Sequence, residues 1–163
     1  MINIKENKTI FQICINLNDD IEELKNSRKK LLDLNSDWYF FYIQNIEHLN
    51  QIMFDNFKKS SNHFENSLYK AFYELPNILE YSYEVRLQNS KEEREHIHNV
   101  CKLVFQTDLL RLALVYKFGG LYFDLGSELV LDIDSNFKRY ECCFVNHINE
   151  LSVSMVYAKK NNP

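Results

Sequence analysis

The chain has 163 residues, 45% of them hydrophobic and 26% charged, which suffices to bury a core as a single domain, 1–163, of ordinary globular composition. A net charge of −4 without any block of like charges excludes the basic footprint of a nucleic-acid binder. No apolar run is long enough to span a membrane, and the opening MINIKENK lacks the apolar core of a signal peptide, so a cytoplasmic location is expected.

In chain order, Thr9 to Ile15 (TIFQICI) is apolar and β-rich and reads as a buried first strand. Asn18 and Asp19 are candidate N-caps for a helix carrying Ile21, Leu24, Leu31, Leu32 and Leu34 at roughly helical spacing. Asn35-Ser36-Asp37 signals a turn, and Trp38 to Ile43 (WYFFYI) a second strand. Gln44 to Phe57 has the apolar stripe of a helix in Ile46, Leu49, Ile52, Met53 and Phe57. This strand–helix–strand–helix opening predicts a parallel sheet with covering helices.

Ser61 to Leu75 reads as a helix that stops before Pro76. Ile78 to Gln88 is ambiguous. Ser90 with Glu93 forms a capping box that starts a helix running to Phe105. Gln106-Thr107-Asp108 marks a break, with Thr107 capping a fresh helix that Gly119 ends in a left-handed conformation. Leu121 to Leu125 is a strand. Tyr140 to Ile148 and Ser152 to Lys159 read as two further strands paired through Asn149-Glu150.

Some chemistry-bearing residues have a plain structural reading. The cysteines Cys14, Cys101, Cys142 and Cys143 show no zinc spacing and are expected as reduced, mostly buried thiols. His96 and His98, two apart, fall on different faces of a helix. Asp132 and Asp134 form a DxD lookalike expected in a solvent-facing turn. Trp38 is expected in the core, and the aromatic-rich helix from Phe64 to Tyr73 as core or an interaction face.

Asp108, Arg111, Gly119, Gly120, Tyr122 and Asp124 carry more. Three residues apart on a helix, Asp108 and Arg111 share a face, as a surface ion pair or as ligand-binding groups. Gly119-Gly120 lets the chain turn sharply and lets a ligand approach the backbone, in a chain with only three glycines. Asp124 falls at the carboxyl end of a strand, where open α/β sheets bind ligands. There a carboxylate can hold a ribose hydroxyl or a divalent cation.

These residues resemble a known family. Thr107-Asp108-x-x-Arg111, then Leu114-x-Tyr116-x-x-Gly119-Gly120-x-Tyr122-x-Asp124, is similar to the glycosyltransferase sugar-binding region containing the DXD motif, as in glycosyltransferase family 32, the initiating mannosyltransferases and the capsular polysaccharide enzymes. Weaker likeness extends to Ile10–Ile15, Asn35–Tyr42 and Ser154–Pro163. The resemblance implies a GT-A-like α/β fold, a Rossmann-like mixed sheet flanked by helices. It implies retaining transfer of a hexosyl unit from a UDP- or GDP-sugar to a hydroxyl of a glycan or protein acceptor, assisted by Mn²⁺ or Mg²⁺. It further implies that Asp108, Arg111, Gly119, Gly120 and Tyr122 bind the donor and that Asp124 contacts its ribose and the metal.

The chain departs from the family pattern in three places. Gly126 stands where the family has the second acid of the motif, its main direct metal ligand, leaving Glu128 as the nearest replacement. Cys14 stands where an aromatic commonly stacks on the base. The family continues past the position of Pro163, so 1–163 is expected to be the N-terminal part of a catalytic domain. An inactive relative, kept as a nucleotide-sugar-binding or protein-interaction module, is the alternative these departures favour.

Overall fold

The computed structural model describes residues 4–15, 22–84, 91–124, 130–147 and 150–161. The chain divides into two compact units, one comprising Met1–Leu49 with Arg111–Pro163, the other Asn50–Leu110.

The first unit is built on a five-stranded mixed sheet, β1 (Thr9–Ile13), β2 (Tyr39–Ile43), β3 (Gly120–Phe123), β4 (Cys142–His147) and β5 (Glu150–Ala158), in the order β2-β1-β3-β5-β4. β1 lies parallel to both β2 and β3, whereas β5 runs antiparallel to β3 and β4. The parallel half follows from helical crossovers, which only parallel neighbours require. The antiparallel half is the expected hairpin, with β5 rather than β4 next to β3.

Register assigns the two faces. Ile10 pairs with Phe40 and Leu121. On that face Ile10, Trp38, Leu121, Phe123 and Tyr157 bury against Leu31 of α1 (Glu22–Leu34) and against Ile133 and Phe137 of α5 (Ile133–Phe137). Asn35 fastens these two helices together. Its Nδ2 donates to Leu31 O at 2.8 Å and Leu131 O at 2.9 Å, and its Oδ1 accepts from Ile133 N at 2.7 Å. The predicted turn residue is therefore a buried polar group with donor and acceptor both satisfied. The expected caps Asn18 and Asp19 lie outside the described residues.

On the opposite face Phe11 packs against Phe41 and Phe118, at ring-centroid distances of 6.0 and 6.4 Å. The sulfur of Cys14 is buried, and Cys14 N donates to Ile43 O at 2.8 Å. All four cysteines are free, but only Cys14 is buried; Cys142 is exposed and Cys101 and Cys143 intermediate. The expectation of mostly buried thiols is thus corrected, because Cys142 opens β4 at the sheet edge.

The predicted helix from Gln44 to Phe57 divides into α2 (Ile46–Met53) and a π-helical turn, Phe54–Lys58. Asn45 caps it, its Oδ1 accepting from His48 N at 2.7 Å.

The second unit corrects two expected breaks. The helix predicted to stop before Pro76 runs on as α3 (His63–Glu84), absorbing most of the ambiguous stretch. Proline has no N–H to give to the carbonyl four residues back, here that of Phe72. Gln106 Nε2 donates to Phe72 O at 3.2 Å instead, and Gln106 itself is only 4% exposed. Likewise α4 runs unbroken over Lys91–Phe118, in place of helices meeting at Gln106-Thr107-Asp108. Thr107 is not a cap: its hydroxyl donates back to Val104 O at 2.8 Å, the habit of a mid-helix threonine. Ser90 lies outside the described residues.

Gln106→Ala should destabilise the protein by about 1–3 kcal/mol, the penalty for orphaning a buried carbonyl. Adding Pro76→Ala restores a backbone N–H four residues on and should recover most of that loss, measurable as a double-mutant cycle in urea.

Candidate functional site

The site begins with a helix stop. Gly119 has φ +68° and Gly120 φ +113°, conformations that glycine reaches without strain. The last carbonyls of α4 would be orphans, but Asn7 N donates to Phe118 O at 2.8 Å and Asn161 N to Tyr116 O at 2.6 Å. Asn7 Oδ1 accepts from Lys160 N at 2.7 Å. A Cβ on Gly119 would stand 2.0 Å from Asn7 Oδ1, and one on Gly120 would stand 2.2 Å from Thr9 O. The two glycines serve the expected turn, whereas the close neighbour at Gly120 is the backbone of β1 at Thr9 rather than a ligand.

β3 follows, four residues buried throughout, and Asp124 emerges at its carboxyl end, where its N–H donates to Ser154 O at 2.8 Å. Tyr122 pairs with Phe11, so both lie on the face opposite the Ile10 cluster. Arg111 reaches the same place from the last turns of α4. Its guanidinium carbon lies 4.6 Å from the Tyr122 ring centroid. Its NH1 lies 3.1 Å from Asp124 Oδ1 and donates to Oδ2 at 3.4 Å. Tyr122 OH donates to Asp124 Oδ1 at 2.6 Å.

The three side chains thus form one closed group at the end of a strand. Its cation is 10% exposed and its carboxylate 40% exposed. Arg111 and Tyr122 hold the carboxylate from the protein side, and its outer edge faces solvent. A carboxylate offers about four lone-pair sites, so Asp124 can accept further hydrogen bonds from a ligand or join a cation's shell. Arg111 does not lie at the surface, since the residue is buried and its NH1 engages Asp124.

Of the other predicted site residues, Asp108 lies half-buried on α4, in the stretch that belongs to the second unit. Gly126 and Glu128 lie outside the described residues. Asp132 caps α5 by accepting from Ser135 N at 2.9 Å, a bond that holds its carboxyl below the usual range. Asp134 pairs with Lys8, which also pairs with Asp37 at 2.8 Å. The DxD lookalike is therefore structural. Among the described residues no three His, Cys, Asp or Glu side chains converge as a metal cage.

Ser152 and Ser154 of β5, placed from sequence in a strand but not in the site, are half-buried beside Asp124's strand partner position. Their signal was available as a polar S-x-S alternation opening an otherwise apolar strand.

The sequence pattern described as the glycosyltransferase sugar-binding region containing DXD motif matches residues 7–143. No curated protein sequence matches the chain. Among solved structures, PaToxG Glycosyltransferase is similar in fold, with a TM-score of 0.50 at 16% identity, over 98% of this chain and 56% of that one. The chain thus spans little more than half the length of that protein, and at this identity the likeness concerns the fold. Among the described residues, no helix is long and apolar enough to cross a membrane.

Proposed function

The chain belongs to the glycosyltransferase family defined by the sugar-binding region containing the DXD motif, and on that premise we propose that it binds a nucleotide-diphosphate sugar at Asp124 and transfers its hexosyl unit. The observation that carries this reading is the group formed by Arg111, Tyr122 and Asp124 at the carboxyl end of β3, the ligand-binding edge of an open α/β sheet. Asp124 accepts hydroxyls of the donor's ribose. Arg111 fixes that carboxylate and, with Asp108 and Tyr122, positions the donor. An acceptor hydroxyl then bonds to the anomeric carbon on the face from which the diphosphate departs, as the bond from that carbon to the diphosphate breaks and the hydroxyl proton passes to the leaving diphosphate, so that configuration is retained.

The described residues offer a cation one carboxylate. That fits Mg²⁺ or Mn²⁺ as these ions are held beside nucleotides, by one or two carboxylates together with phosphates and water. Asp124 would hold it, with Glu128 as the second candidate from the sequence. When bound, the cation supplies Lewis-acid stabilisation of the departing diphosphate. We further propose that the family match, which runs across both units, reflects one catalytic region acting in the cytoplasm on a glycan or protein acceptor.

A second reading, a nucleotide-sugar-binding module without turnover, is favoured by Gly126 at the second acid position. Calorimetry with UDP and GDP, with and without Mn²⁺, and chromatography of UDP- and GDP-sugars incubated with the protein separate the two. Transfer predicts nucleotide binding that tightens with Mn²⁺, slow donor hydrolysis, and no retention of Mn²⁺ by the protein alone. Nucleotide binding without hydrolysis of any donor establishes the module. Absence of nucleotide binding sinks both.

A further inference from the structure

β5 departs from its ladder beside Asp124. Its register with β4 jumps from Phe144↔Val156 to Val145↔Ser152, so residues 153–155 of β5 are looped out of that pairing. Toward β3 the pairing continues unbroken to Phe123↔Met155, and then through Asp124 N donating to Ser154 O. Directly opposed residues of an antiparallel pair share a face, so Ser154 stands on the face of Tyr122 and Asp124. Irregularities of this kind re-aim side chains and are over-represented next to active sites.

Ser152 and Ser154 are linked by an Oγ–Oγ hydrogen bond of 2.9 Å, and Ser152 Oγ also accepts from Ser154 N at 3.2 Å. Two hydroxyls carry two protons. One closes the link between them, and the other has no acceptor among the described residues. A half-buried hydroxyl proton beside a strand end that is otherwise one carboxylate short of its family pattern suits an oxyanion, since hydrogen bonds to charged oxygen are roughly twice as strong as neutral ones.

We propose that Ser154, oriented by Ser152, is a phosphate-binding residue of the donor site, its hydroxyl donating to a diphosphate oxygen of the nucleotide sugar. The inference rests on the donor-site reading above. The test is titration of the full chain with UDP and GDP, and with uridine and guanosine, for wild type, Ser152→Ala, Ser154→Ala and Ser154→Thr. Ser154→Ala should weaken diphosphate binding by about tenfold, as expected on losing a hydrogen bond to a charged group, and leave nucleoside binding unchanged. Ser154→Thr keeps the hydroxyl and should retain most of the affinity, and Ser152→Ala should fall between. Diphosphate affinity unchanged in Ser154→Ala, or diphosphate and nucleoside affinity lost equally, overturns the inference. A wild-type protein that binds nucleosides and diphosphates alike overturns it as well, with the donor-site reading left standing on the nucleoside. A wild-type protein that binds neither UDP nor GDP sinks the donor-site reading and this inference with it.

Discussion

Gly120→Ala is expected to leave little or no folded protein. A Cβ at this position would lie 2.2 Å from Thr9 O and 3.3 Å from Thr9 N. Both are backbone atoms of β1, which is hydrogen-bonded on either side to β2 and β3, so no side-chain rotation can relieve the clash. The φ of +113° adds strain of its own for any residue with a side chain. Steric and torsional penalties of this type cost roughly 1–3 kcal/mol each, and together they take a large share of a typical stability of about 5–15 kcal/mol. Gly119→Ala is the informative contrast. Its nearest obstacle is the Asn7 side chain, which can move, and the next is Lys160 N at 2.6 Å, a backbone atom past the end of β5 rather than inside the sheet; its φ of +68° lies in the left-handed region that asparagine tolerates. Gly119→Asn should therefore lose less than Gly119→Ala, and both less than Gly120→Ala. Urea midpoints and the soluble fraction on expression report the order. A Gly120→Ala midpoint equal to wild type would mean that β3 does not pass against Thr9.

The same two glycines show what the sequence makes legible. Their role as a helix stop follows from residue type alone, because few other residues reach a positive φ. β1, β2, α1 and the β4–β5 hairpin are equally legible, since apolar runs and turn residues mark them within a few positions. What the sequence conceals is compensation at a distance. Pro76 reads as a helix end until Gln106, remote in the chain, is seen to supply a donor to Phe72 O. Thr107 reads as a cap because its alternative, bonding back to Val104 O, has the same local spelling. In the candidate site, residue types at Arg111, Tyr122 and Asp124 carry the family resemblance, but spacing cannot tell that Arg111 turns to Asp124. Ser154 is concealed most deeply, because only the register of β5 against β3 and β4 brings it to Asp124.

Asp124→Ala and Asp124→Asn should part company, and the difference isolates what the carboxylate does. Alanine removes a carboxylate that accepts from both the Tyr122 hydroxyl and the Arg111 guanidinium, and Arg111 is 9% exposed. Breaking a buried ion pair by removing one partner costs about 3–5 kcal/mol in fully enclosed sites. Because the Asp124 side chain is 40% exposed, water repairs part of that loss, and about 1–2 kcal/mol is expected. Asparagine keeps an oxygen for Tyr122 and Arg111 and should stay near wild-type stability, yet it lacks the charge that strengthens a ribose hydroxyl's bond and that holds a cation. Both variants should lose nucleotide-diphosphate affinity by about 100-fold or more, against the 10–100-fold typical of merely supporting groups. The loss in Arg111→Ala/Asp124→Ala should be smaller than the sum of the two single losses, since either single variant already removes the contact between them. Arg111→Lys should not substitute for arginine, because an ammonium offers neither the planar fork nor the stack on Tyr122. Thermal melts and nucleotide titrations across this set give the coupling energy directly. Additive losses in the double variant would show that Arg111 and Asp124 act apart. A coupling of about 1–3 kcal/mol is the value expected of side chains in contact, and it would establish the pair as the unit that presents the carboxylate to the donor.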